Sequence, residues 1–125
     1  MPRAFFPVVI MFCIAAPALP ATVQQDFDAA QALLDAGKAA EARNAFTALL
    51  ARLAPNSQTK AASLVRARLG SALLATDDPE GAERVLAAAV AGLSGATPQD
   101  AEERGIALSD LARAMERQGR LDSAA

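Results

Sequence analysis

The sequence predicts an all-α fold built from antiparallel helix pairs. Alanine and leucine dominate the 125 residues, aromatic residues make up only 4%, and no β-branched run suggests a sheet. Three successive segments repeat a pattern of helix, short turn and helix, with apolar residues three to four positions apart. Each predicted helix therefore has one apolar face to bury against a neighbour.

The segment 24–55 is expected to form the first pair. Its first helix spans 26–36 and carries Phe27 on the apolar face, Gly37 forms the turn, and the second helix spans 39–53. Pro55 ends this helix because proline cannot continue it. We expect Asn56 or Ser57 to cap the helix that follows.

The segment 64–93 gives the clearest pair. Asp78 should cap the second helix with Pro79 at its first position, so we interpret Asp77 and Asp78 as a turn and a cap and not as a catalytic carboxylate pair. Gly70 and Ala82 should lie where the two helices meet, because small side chains allow close approach. The residues at helical spacing are Leu64, Val65, Arg68, Leu69, Ala72, Leu73 and Ala75, then Ala82, Val85, Leu86, Ala89, Val90 and Leu93.

The segment 97–125 begins a third pair and stops inside it. Thr97 should cap a helix running to residue 118, and Asp100 should pair with Arg104 on a solvated face. After Gly119, the chain opens a further helix and then ends. We expect the uncovered last face to be covered either by more chain in a longer protein or by a second copy in a homodimer. The expected apolar face comprises Ile106, Leu108, Leu111, Ala112 and Met115.

These positions resemble the tetratricopeptide repeat. The Leu-Gly pair, the small residue opening the second helix and the bulky residue after it stand at the offsets of that family. The equivalent small residues Ala42, Ala82 and Ala124 are 40 and 42 positions apart, which resembles the longer repeat variant of kinesin light chains and many bacterial regulators. Arg66 and Ser94 replace an aromatic residue and a proline of the pattern. The matching positions are Gly37, Ala42 and Phe46, then Leu69, Gly70, Leu73, Ala82, Leu86 and Ala89, then Leu111, Gly119 and Ala124.

The resemblance implies a right-handed α-α superhelix of two and a half repeats, at about 24–55, 57–94 and 97–125. It also implies a concave surface formed by the first helix of each repeat, where a protein or peptide could bind. Phe27 and Gln31 stand where carboxylate-clamp repeats carry Lys and Asn, so no such clamp is expected. The implied lining residues are Phe27, Gln31, Asp35, Ala67, Ser71, Ala75, Ser109, Arg113 and Glu116.

Arg113, Arg117 and Arg120 form a basic stripe near the end of the chain. This stripe offers an alternative site, for an acidic peptide, or is simply a solvated helix face.

Residues 1–21 have the pattern of a signal peptide. Arg3 precedes an uncharged apolar stretch, 4–16, that is too short to span a bilayer, which needs roughly 20 residues. Small residues then allow cleavage after Ala21 or after Ala18, and we expect a periplasmic or secreted protein with no stable membrane insertion afterwards. The alternatives are an uncleaved anchor or a buried N-terminal helix. Phe12 before Cys13 does not fit a lipoprotein signal.

The chain after residue 21 has no His, Cys, Tyr or Trp, which excludes His- or Cys-based metal sites and triads with a His base. There is no Gly-rich phosphate loop, and the net charge of −2 argues against a nucleic-acid surface. We expect no enzyme, cofactor or metal. The sequence thus predicts an exported scaffold or, alternatively, the non-catalytic repeat region of a longer bacterial enzyme, such as a caspase-like peptidase, or of a regulator.

Overall fold

The computed structural model describes residues 18–53 and 59–119, and these form five helices with no strand among them. The predicted all-α fold is therefore confirmed. The first helix begins at Ala18, earlier than the expected Asp26, so both expected cleavage positions fall within its first turns. Most of the segment predicted to be a signal peptide lies outside the described residues, as do Arg120 and Ala124. The helices are α1 (Ala18–Asp35), α2 (Ala39–Arg52), α3 (Lys60–Ala75), α4 (Pro79–Gly92) and α5 (Pro98–Arg117).

Consecutive helices pack against each other, and α3 also contacts α1 and α5. α3 therefore lies at the centre of the described structure and contributes to two apolar cores. The first core joins α3 to α1 and α2 around Phe46 and Val65. The second joins α3 to α4 and α5 around Leu74 and Leu86.

The turns that close the helix pairs repeat the same backbone geometry. Gly37, Asp77 and Gly119 have φ angles of 81°, 63° and 72°, the left-handed region that favours glycine. In the first two turns, the residue at positive φ donates its N–H to the carbonyl three residues before it, at 3.1 Å for both Gly37 and Asp77. The residue that follows donates to the carbonyl five residues before it, at 2.9 Å in the first turn and 2.8 Å in the second. This is the Schellman pattern of helix ends. The positive φ angle recurs after 40 and 42 residues, which confirms the helical-repeat character of the chain.

The predicted caps at Asp78 and Thr97 are present. Each side chain accepts a hydrogen bond from the backbone N–H three residues later, at 3.0 and 3.1 Å. The cap of α3 is Thr59, not Asn56 or Ser57 as expected, because α3 begins only at the following residue. Those two residues lie outside the described ranges.

The small residues of the central pair permit close packing, as expected. A Cβ atom on Gly70 would lie only 2.3 Å from Cγ of Leu86, so Gly70 packs directly beneath Leu86. Of the other repeat-defining positions, Leu111 is half-buried. Those that are fully or almost fully buried are Ala42, Phe46, Leu69, Ala82 and Leu86.

The larger apolar residues of α5 are exposed or half-buried, in line with the uncovered apolar face expected from the sequence. Ile106 and Leu108 are 48% and 41% exposed, Ala112 is exposed, and Leu111 and Met115 are half-buried. The reason is that α5 places small and acidic residues against its neighbours, which allows close approach and brings carboxylates to the cations of α3. The buried residues of α5 are Asp100, Ala107, Asp110 and Ala114.

Candidate functional site

An open groove with a volume of about 250 Å³ lies where the N-terminal parts of α1, α3 and α5 meet beside the end of α2. Its walls are mainly apolar, and its polar groups come from each of the helices α1, α3 and α5. The apolar lining residues are Val23, Phe27, Leu53, Ala61, Leu64 and Val65, and the polar ones are Gln24, Arg68, Gln99 and Glu103.

A second cavity of similar volume lies between α1 and α2 alone and is lined largely by alanine and leucine. Arg52 and Asp26, which form an ion pair, stand among its lining residues. Because only one helix pair forms this cavity, a ligand there would contact fewer elements of the protein than in the groove shared by α1, α3 and α5.

Arg68 of α3 organises the groove. Its Nη1 and Nη2 atoms donate to the two carboxylate oxygens of Glu103 on α5, both at 2.8 Å, and its Nε donates to Oε1 of Gln31 on α1 at 2.9 Å. The guanidinium carbon also lies 5.9 Å from the ring centroid of Phe27. The two parallel bonds to Glu103 give the bidentate geometry that is strongest for an arginine–carboxylate pair. Arg68 therefore connects α3 to both α1 and α5.

Electrostatics keep this pair charged. The hydrogen bonds from Arg68 lower the pKa of Glu103, an effect that partial burial and the nearby charge of Asp100 oppose. The same bonds raise the pKa of Arg68, again against the effect of burial. At neutral pH the groove therefore contains a fixed ion pair whose two charges largely neutralise each other.

Phe27 joins the groove to the first core. Its ring packs edge to face against Phe46, with centroids 5.6 Å apart and an interplanar angle of 70°. Phe46 is fully buried, whereas Phe27 is half-buried and reaches the groove. One face of the groove is therefore continuous with the protein interior, which holds it in place.

Polar contacts also fix α5 against α3 on both sides of the Arg68 pair. Lys60 Nζ lies 2.8 Å from Asp100 Oδ1, and Ser71 Oγ donates to Asp110 Oδ2 at 2.8 Å. Asp110 also pairs with Arg113 at 2.9 Å. Asp100 thus pairs across helices, and not with the residue four positions later as the sequence suggested.

The structure places the predicted partner-binding residues in different surroundings. Phe27 lines the groove, while Gln31 lies behind it, accepting from Arg68 and donating to Asp35 Oδ1 at 2.9 Å. Ala67 is only 3% exposed and belongs to the second core, so the expectation that it lines a surface is wrong.

The remaining predicted residues lie further along α3 and α5. Ser71 is held by its bond to a carboxylate of α5, and Ser109 is exposed. Arg113 belongs to an ion pair, and Arg117 donates to the backbone carbonyl of Leu74 at 2.7 Å. The predicted basic stripe is therefore partly engaged in contacts within the protein.

Sequence reasoning missed most of the groove residues, including Val23, Leu64, Gln99 and Glu103. The available signal was Arg68, a charged residue in the otherwise apolar stripe of α3. A buried or half-buried arginine needs a partner, but the sequence did not indicate that the partner lies 35 positions later.

Within 18–53 and 59–119, no group of three His, Cys, Asp or Glu residues is arranged to hold a metal ion. No helix in those ranges is both long enough and apolar enough to span a membrane.

Comparison with known proteins gave no match to a family model, a curated protein or a solved structure.

Proposed function

We propose that the chain is an exported helical-repeat scaffold, of the tetratricopeptide type, that binds a protein or peptide partner through the inner surface of α1, α3 and α5. The observation that carries the proposal is the groove between these helices. Its volume of about 250 Å³ lies below the roughly 300–1,000 Å³ typical of small-molecule pockets. A groove of this size suits side chains of a partner better than a cofactor.

The groove offers apolar area together with fixed polar groups. Leu64 and Val23 are half-buried and contribute the apolar walls, and the Arg68–Glu103 pair sets the distance between α3 and α5. A surface that is already ordered loses little conformational entropy when a partner binds. This favours recognition of a short segment by a small number of side chains.

Export is proposed from the signal-like segment 1–21. Intact-mass measurement of natively expressed protein tests it. A chain that begins at Thr22 or Leu19 is the expected product, and an intact N-terminus in the exported fraction would contradict cleavage.

The binding role is tested by selecting peptides from a displayed library and measuring their affinities by fluorescence anisotropy. Replacing Leu64 with serine should weaken selected peptides about tenfold, a loss of about 1.4 kcal/mol. Leu108→Ser is the matched control, because Leu108 is an exposed leucine that does not line the groove. Phe27→Asp is a poorer test, since Phe27 also packs on Phe46.

Both leucine variants should keep the far-UV circular dichroism spectrum of the parent protein. Equal affinities for the parent protein and Leu64→Ser, or an equal loss in the Leu108→Ser control, would refute binding in the groove.

A further inference from the structure

We infer that the segment bound in the groove presents one apolar side chain flanked by lysine or arginine residues. This inference rests on the proposed function and specifies the chemistry of the partner. It depends on the contrast between the apolar interior of the groove and the acidic groups at its edges.

The interior favours an apolar side chain because its charged groups are already engaged. Arg68 uses both terminal nitrogens on Glu103, and its Nε on Gln31. What remains for a ligand is the surface of Val23, Leu64 and the other apolar lining residues. A charged side chain placed there would lose hydration without gaining a free partner of opposite charge.

The edge formed by α1 carries an available carboxylate. Gln24 lines the groove, and its Nε2 atom donates to Oδ1 of Asp28 at 2.9 Å. This bond places the Asp28 carboxylate directly beside the groove. Both residues are exposed, and Asp28 has no cation in ion-pair contact among the residues that the structure describes.

The opposite edge, formed by α5, carries Glu102. This exposed residue lies one helical turn after Gln99, which lines the groove, and one turn before Ile106, which is 48% exposed. Within the described ranges, Glu102 likewise has no ion-pair partner. The groove is therefore bordered on two sides by carboxylates that a cationic partner could neutralise.

The cations around the groove are already paired with acidic groups. Lys60 contacts Asp100 at 2.8 Å, and Arg68 is held by Glu103. The hydrogen bonds to Glu103 are the main cause of the raised pKa of Arg68, and the field of Asp35, a further negative charge nearby, adds to it. An acidic partner would thus meet repulsion at this end of the inner surface, whereas lysine or arginine beside the apolar anchor would meet attraction.

Four labelled peptides test the inference by fluorescence anisotropy with the full protein. They have a central leucine flanked by lysines, by glutamates or by serines, or a central serine flanked by lysines. The leucine–lysine peptide should bind most tightly, and replacing its lysines by glutamates or its leucine by serine should weaken binding at least about tenfold. Its affinity should also fall as salt concentration rises.

Two double variants, each with two carboxylates removed, test whether the preference for lysine comes from the carboxylates beside the groove. The double variant Asp28→Asn, Glu102→Gln should weaken the leucine–lysine peptide about fivefold and leave the leucine–serine peptide unchanged. The control Glu41→Gln, Glu80→Gln removes two exposed charges from α2 and α4, and should bind like the parent protein.

The outcomes separate this inference from the proposed function. Equal or tighter binding of the leucine–glutamate peptide, or equal losses in the two double variants, would overturn the basic flank while leaving groove binding intact. Equal binding of the serine–lysine peptide would overturn the apolar anchor. If no leucine-containing peptide binds and library selection also yields none, the proposed function itself fails.

Discussion

Replacing Gly70 with alanine should destabilise the protein, although alanine favours helices. In an open helix interior this change would stabilise by about 1 kcal/mol. Here the new Cβ would lie 2.3 Å from Cγ and 2.5 Å from Cδ2 of Leu86, which is fully buried and cannot move aside freely. Overpacking of this kind costs about 1–3 kcal/mol. We expect a net loss of about 1–2 kcal/mol in the free energy of unfolding.

A double-mutant cycle isolates the contact. Leu86→Ala alone should cost about 2–5 kcal/mol, because it removes a buried side chain and leaves a cavity. In that background the alanine at position 70 meets no obstacle, so Gly70→Ala should become neutral or stabilise by up to about 1 kcal/mol. The sign of the glycine substitution therefore depends on the residue at position 86.

The free energy of unfolding of the parent protein, the two single variants and the double variant is measured by urea unfolding followed by far-UV circular dichroism. The slope of each transition checks that unfolding is two-state. The reasoning is refuted if Gly70→Ala stabilises the parent protein. It is refuted equally if the substitution costs the same free energy with leucine and with alanine at position 86.

Three further predictions concern other positions. Gly37→Ala should lower the free energy of unfolding by about 1 kcal/mol, because Gly37 has a φ of 81°. Gly105→Ala in α5 should instead raise it by about 1 kcal/mol, because an added Cβ there would meet no atom within 4 Å. Urea midpoints that move in the same direction for the two variants would contradict this. The hydrogen bonds from Arg68 lower the pKa of Glu103 in the folded protein. The ionised Glu103 side chain therefore contributes its full stabilisation at pH values above 4.5, the ordinary pKa of a glutamate, and this stabilisation is lost as the pH falls through the lower folded-state pKa. The difference in stability between the parent protein and Glu103→Gln should therefore shrink on acidification. A difference that stays constant with pH would contradict this role of the Arg68–Glu103 pair. Ser63 is fully buried, and its hydroxyl has no hydrogen-bond partner among the described residues. Ser63→Ala should therefore raise the free energy of unfolding by about 1 kcal/mol and increase the melting temperature. A lower melting temperature would show that the hydroxyl has a partner.

Local signals in the sequence predicted much of the fold correctly. The caps at Asp78 and Thr97 and the turn at Gly37 depend on residues within one helical turn, and the structure confirms all three. Asp77 shows the same principle at a position without glycine, since it adopts the left-handed conformation that the repeating turn requires. Such features need no knowledge of distant contacts.

The candidate site was harder to predict because it depends on pairing between repeats. Periodicity identified Ile106 and Leu108 as apolar positions of α5, but it gave no sign that the helix buries two aspartates and two alanines against its neighbours. Acidic residues can face inward there because α3 supplies a hydroxyl and cations opposite them. Charge partners of this kind are 35 to 40 positions apart and leave no local pattern.

The most direct test of the central claim is a titration of isotopically labelled protein with the tightest-binding peptide from the library selection, followed residue by residue in amide NMR spectra. We expect saturable shift changes concentrated at Val23, Phe27, Ala61, Leu64 and Gln99, which line the groove. Changes concentrated instead around Leu108 and Ala112, or changes that remain small and never saturate, would contradict a binding site between α1, α3 and α5.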